Sequence, residues 1–290
     1  MKRVLINNLE GGEILAQEVC DQKGVQLLST GTVYKNSYFK ILKGLRIEHL
    51  YIQKNEKNKI YYNPEFLREQ SRKLIKSQLR RFEKVGSINI YKFEKFVFTI
   101  MNELMESTHI LDNMYTMQAF NNYTYEHSVH VTVIAIMMCN KMNISRYKTY
   151  EVAMGCMLHD LGKTKVPEEI LDKPAKLTKE EFDEIKKHPV EGYQYIRDNR
   201  NLSITIQNII LTHHEKIDGS GYPLGLSGED ICMGARICAV ADVFDAICSE
   251  RPYKKAVPLP EAMRIMKATM NKELDMDICK ILEEILKSTT

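Results

Sequence analysis

The sequence predicts a mainly α-helical protein: an all-helical C-terminal domain preceded by a small α+β module and a helical connector. Three observations carry this. After about Leu111 apolar residues recur at helical spacing with no convincing strand. Residues 1–62 alternate short β-like runs with glycine turns. From Pro64 onward Phe66, Leu67, Leu74, Ile75, Leu79 and Phe82 follow a three-to-four spacing. The expected divisions are therefore 1–62, 63–110 and 111–290.

In the first module "VLI", "VQLLSTGTVY" and "LRIEHLYIQ" read as strands, and "SYFKILKGL" as a helix with Gly44 at its C-terminal cap. Gly86 and Ser87 interrupt the connector, and a further helix runs from about Tyr91 to His109. "EHSVHVTVIAIMMCNKM" is apolar nearly all round, which predicts a central buried helix. "YKTYEVAMGCMLHDLG" reads as a second such helix ended by Gly162. "LTKEEFDEIKKHP" opens on Thr178 with Glu181 three residues on, a capping box. "ITIQNIILTHH", "GARICAVADVFDAICS", "PEAMRIMKATM" and "DICKILEEIL" supply the remaining helices.

Composition narrows the function. A hydrophobic share of 44% and a charged share of 27% are those of an ordinary globular protein. A net charge of +3 gives no reason to expect a nucleic-acid polymer or a membrane as partner. The longest apolar run, Val129 to Cys139, falls short of the ~18 residues a membrane span needs. The opening "MKRVLINNLEGG" reads as a strand and not as a signal peptide. Seven cysteines without a C-x-x-C pair sit mostly in apolar helical contexts, as reduced thiols of a cytoplasmic protein would.

The helical half presents His127, His159, Asp160, His188, His213, His214 and Asp242, several of them inside otherwise apolar segments. An unpaired polar group costs roughly 1–3 kcal/mol to bury, and a charge costs more. Seven such residues on separate helices are best satisfied together, through metal. Imidazole and carboxylate without thiolate suit iron, manganese or zinc. Seven ligands exceed what one tetrahedral ion needs, so two divalent ions ~3.5–4 Å apart, bridged by a carboxylate and arming a bridging hydroxide, are the simplest reading.

The blocks "YTYEHS", "LHDLGKTKVP", "KKHPVEGY", "HHEKIDGSGYP" and "ARICAVADVFDAICSERPYKKA" span about Tyr123 to Lys255. In this order they resemble the HD-GYP domain, the branch of the HD phosphohydrolases that cleaves cyclic di-GMP. The resemblance implies a metal-dependent phosphodiesterase giving pGpG or GMP, with iron or manganese as metal and zinc also compatible. It implies that His127, His159, Asp160, His188, His213, His214 and Asp242 are the metal ligands, with Asp160 bridging. Lys163 matches the lysine that steadies the scissile phosphate. Asp245, Arg251 and Lys254 match substrate-holding positions.

Asp218, Gly219, Gly221, Tyr222 and Pro223 form the signature loop. Its Tyr222 either meets a base, meets a diguanylate cyclase or other signalling partner, or packs the loop onto the fold. The pattern departs at Tyr123, where trinuclear members carry a glutamate, so a two-metal site is expected. Cyclic GMP-AMP is the alternative substrate, and a non-catalytic nucleotide-binding scaffold is the alternative class. His130, one turn after His127, could approach the site but is expected rather to pack or face solvent, and His49 and His109 are given no role. The helical stretch from Pro64 to about Glu106 is read either as a homodimer stalk or as a face packed on the catalytic half.

Overall fold

The computed structural model describes residues 2–9, 11, 13–21, 25–45, 47–53, 69–71, 73, 74, 77, 78, 81, 86–106, 123–173, 175–199, 201–249 and 257–287. They fall into two units, Met1–Tyr61 with Ile144–Tyr150, and Tyr62–Asn143 with Glu151–Thr290.

In the first unit, β1 (Lys2–Leu5) pairs antiparallel with β4 (His49–Ile52), Val4 opposite Leu50. The short β2 (Val19–Cys20) and β3 (Gln26–Leu28) form a second antiparallel pair with an irregularity at Val19/Cys20. The expected long strand "VQLLSTGTVY" is thus broken. After Leu28 the chain turns at Gly31, whose φ of +82° suits glycine, and regains only a single bridge at Val33. Helix α1 (Tyr38–Gly44) keeps Gly44 inside its last turn, and Leu45 follows as cap with its N–H on Ile41 O, so no left-handed glycine ends it. Ile6, Leu9, Leu15, Val19, Tyr34, Leu42 and Leu50 form the core of this unit.

The second unit is helical throughout its described residues. Helix α2 (Ile90–Glu106) buries Phe93, Val97, Ile100, Met101 and Leu104. The connector before it is described only in part, with helical residues between 69 and 81 and a break at Gly86 (φ +62°). Helix α3 (Tyr123–Lys141) is packed by α2, by α9 (Met233–Cys248) and by α11 (Met276–Lys287). That explains its sequence. With neighbours on several sides, Val129 and every residue from Val131 to Cys139 are buried, and no polar stripe survives.

Helix α4 (Arg146–Leu158) stops earlier than its apolar pattern suggests. The His159 ring takes the Cys156 carbonyl at 2.7 Å, satisfying one of the free carbonyls of the helix end, and His159–Asp160 form a turn. A 3₁₀ turn, Leu161–Lys165, and the short α5 (Glu168–Leu171) follow. Helix α6 (Lys179–Ile185) has the predicted capping box of Thr178 and Glu181. Helices α7 (His188–Ile196) and α8 (Ile204–Thr212) come next, with Ser203 capping α8, and α10 (Leu259–Thr269) lies between α9 and α11. No helix among the described residues is long and apolar enough to cross a membrane.

Candidate metal centre

Helix ends aim the imidazoles. His159 follows α4, His188 begins α7, and His213 caps α8. Each of these rings donates Nδ1–H to the carbonyl three residues back: Cys156 at 2.7 Å, Ile185 at 2.7 Å and Ile210 at 2.9 Å. A carbonyl only accepts, so Nδ1 carries a proton, and in the neutral ring Nε2 keeps its lone pair. His188 Nε2 and His213 Nε2 then face one another at 3.2 Å without a proton between them. Two facing lone pairs repel unless a cation lies within reach of both. His159 Nε2 and Asp160 Oδ1 are likewise buried without a hydrogen-bond partner.

Asp160 lies between two sets of rings. Its Oδ1 is 3.5 Å from His188 Nε2, while its Oδ2 is 3.4 Å from His159 Nε2 and 3.8 Å from His127 Nε2. His127, on α3, also reaches Asp242 Oδ1 on α9 at 3.0 Å. Three overlapping groups have ligand atoms within 4.8 Å of one another: His188, His213 and His214; His127, His159 and Asp242; His159, Asp160 and His213. All seven expected ligands are therefore brought together. The donors are nitrogen and oxygen, the buried Nε2 and Oδ1 atoms lack partners, and the residues fit divalent ions. His159, His188 and His213 form a buried floor at 0–1% exposure, and His127, Asp160 and Asp242 reach the open side at 13–16%.

The electrostatics divide the rings. Burial pushes His188 down to about 4 and His214 to about 3, and it holds His213, with His214 beside it, well below the usual imidazole range. For His127 burial is outweighed by the hydrogen bonds to Asp242 and Asp245, which raise it to about 10. Burial would also raise Asp160, but His159, Lys163, His127 and His188 hold its carboxyl well below the usual range. Lys163 Nζ donates to Asp160 Oδ2 at 2.7 Å from the 3₁₀ turn.

That turn sits close to α7. A Cβ on Gly162 would stand 1.9 Å from the His188 carbonyl oxygen, so only glycine lets the two segments meet.

The loop after His214 folds back over it. Asp218 Oδ1 accepts Ser220 N–H and O–H, Gly219 turns at φ +78°, and Tyr222 N–H donates to His214 O. A Cβ on Gly221 would meet Lys216 N at 2.4 Å. The Tyr222–Pro223 bond is cis, and the Tyr222 ring lies 4.8 Å from the His214 ring at a 30° tilt. Here the tyrosine packs on a ring of the centre.

Two features were not legible in the sequence. Glu215, 4% exposed, anchors the loop by accepting Leu224 N–H at 2.6 Å and Leu226 N–H at 3.0 Å. An acid directly after the histidine pair was the only signal. His130 reaches Asp245 Oδ1 at 3.0 Å, so of the readings open to it the approach to the site is the one seen, and not packing or solvent exposure alone. Asp245 also differs from its expected place among the substrate contacts. It is 5% exposed, and its oxygens accept from His127, His130 and Ser249, an orientation that serves the rings. Arg251, Lys254 and His109 lie outside the described residues, as do the side chains of Tyr123 and Glu126.

A family model described as "HD domain" matches residues 105–278. The chain belongs to the HD domain family. Within this HD domain protein, 167 residues are 40% identical to the cyclic di-GMP phosphodiesterase PA4108 of Pseudomonas aeruginosa, covering 58% of this chain and 40% of that protein. A 3'3'-cGAMP-specific phosphodiesterase 3 of Vibrio cholerae is 34% identical, over 57% of this chain and 35% of that one. The chain covers between 38% and 57% of the lengths of the first curated relatives. In fold it is similar to the HDG"Y"P protein Bd1817 of Bdellovibrio bacteriovorus, with a TM-score of 0.63, 20% identity and 99% of both chains covered. The mainly α fold and the HD-GYP resemblance drawn from the sequence agree with these likenesses.

Proposed function

We propose that the chain is a metal-dependent phosphodiesterase that opens cyclic di-GMP, giving pGpG or GMP. The observation that carries this is the Asp160 carboxylate, set between His188 on one side and His159 and His127 on the other, with the Nε2 atoms of His188 and His213 facing one another at 3.2 Å. His127, His159, Asp160, His188, His213, His214 and Asp242 would hold two divalent ions, iron or manganese with zinc also compatible. When bound, they would supply a water of lowered pKa and neutralise charge developing on a phosphate.

The chain's own residues do the rest. Among the described residues, the more exposed side, at His127, Asp160 and Asp242, is where substrate would approach. Lys163, 36% exposed there, would bind a non-bridging phosphate oxygen and stabilise its growing charge. Arg251 and Lys254 are proposed to hold the remaining phosphate and the guanine, as the HD-GYP resemblance implies.

The test is anaerobic purification, metal quantification and chromatography of products from cyclic di-GMP. His159→Ala and Asp160→Ala should lose both metal and turnover. Lys163→Ala should keep its metal and lose about 10²-fold in rate. Full turnover in that variant would overturn the role of Lys163. A wild-type chain that takes up no metal would overturn the whole reading. The cGAMP-specific relative favours cyclic GMP-AMP as the second reading, and side-by-side turnover of the two dinucleotides decides between them.

A further inference from the structure

His130 follows His127 by one turn of α3, and both rings meet a single carboxylate. Asp245 Oδ2 takes His127 Nδ1 at 2.7 Å, and Asp245 Oδ1 takes His130 Nδ1 at 3.0 Å and the Ser249 hydroxyl at 3.2 Å. The Asp245 side chain is 7% exposed and that of His130 16%. An ionised carboxylate only accepts, so each ring must present Nδ1–H. For His127 this leaves Nε2, the atom beside Asp242 and Asp160, as the one that would face a cation.

The outer torsion of an aspartate is broad, so a carboxylate held through one oxygen pivots easily. Asp245 is held through both. Ser249, one turn along the same helix, shares Oδ1 but cannot brace it against α3. His130 can, because it lies on α3 with His127.

We infer that His130 is a positioning residue for the metal ligand His127, acting through Asp245, which it locks in the one rotation that fixes the His127 tautomer and ring direction. The inference rests on the proposed metal site. Partners one step beyond a ligand typically govern affinity by ten- to a hundredfold.

The experiment measures manganese binding to the metal-free full chain by competition with a chelating dye. Asparagine can present an N–H near the position of His130 Nδ1, whereas glutamine reaches toward that of Nε2 and leucine donates nothing. His130→Leu and His130→Gln should weaken binding about tenfold, and His130→Asn should stay within about twofold of the parent. Equal affinity in His130→Leu and the parent overturns the inference, and so does equal weakening by asparagine and glutamine. If His130→Leu does not fold, the asparagine–glutamine pair still decides. A parent chain that binds no manganese overturns the metal site itself, a result distinct from either of these.

Discussion

Among the described residues of the centre, His127 is the imidazole that the fold keeps charged. Asp242 and Asp245 lift it to about 10, while burial keeps His188 and His214 neutral down to about 4 and 3. A cation that binds His127 Nε2 must displace its proton, so uptake near pH 7.5 should release about one proton per chain. Calorimetry in buffers of different ionisation enthalpy measures this, and His127→Leu should abolish it. Binding should tighten as pH rises toward 10. The seven expected ligands were legible in the sequence because several stand out as polar residues in apolar segments and all fall in the blocks that resemble the HD-GYP domain. His130 was not. Its spacing from His127 shows a shared face of α3, but which face meets Asp245 is set by how α3 crosses α9.

At the scale of elements, local rules were legible and contacts between segments were not. The Thr178–Glu181 box closes within four residues, so the sequence alone foretold it. Thr178→Ala should cost about 1 kcal/mol by urea denaturation. The end of α4 was hidden, because the apolar pattern runs on to Leu161 while the His159 ring captures a helix carbonyl. The meeting of the 3₁₀ turn and α7 was hidden as well. Gly162→Ala forces a methyl into the His188 backbone and should cost about 3 kcal/mol or more, with weakened metal binding. Gly44→Ala is the contrast. Nothing lies within 4 Å of the added carbon and φ is not positive, so the helix should gain about 0.5 kcal/mol.

For the whole molecule, these titrations set how stability depends on pH. His188 and His214 bind protons less readily folded than unfolded, so their contribution is present above about 6.5 and is lost as pH falls toward 4 and 3. His127 does the reverse. Its contribution is complete below about 6.5 and fades as pH rises through 10. The metal-free chain should therefore be most stable near neutral pH and weaken on both sides. Metal at a hundredfold excess over its dissociation constant should add about 2.7 kcal/mol. Urea unfolding from pH 5 to 9, with and without chelator, measures both effects. The helical class of the larger unit was legible because its apolar runs are too long for strands and its less buried helices keep a three-to-four spacing. The small sheets of the first unit were less so, since strands of two to four residues are chosen by pairing and not by their own pattern.

The rings of His159, His188 and His213 take their bearing from their own stretch of chain, each tied to an oxygen three positions upstream. Their direction is thus set by local contacts, and the packing of the helices sets the separations. A chain with loosened packing would still hold three correctly turned imidazoles at the wrong distances. Its failure would register as lost affinity for the ion, while the ring orientations endured.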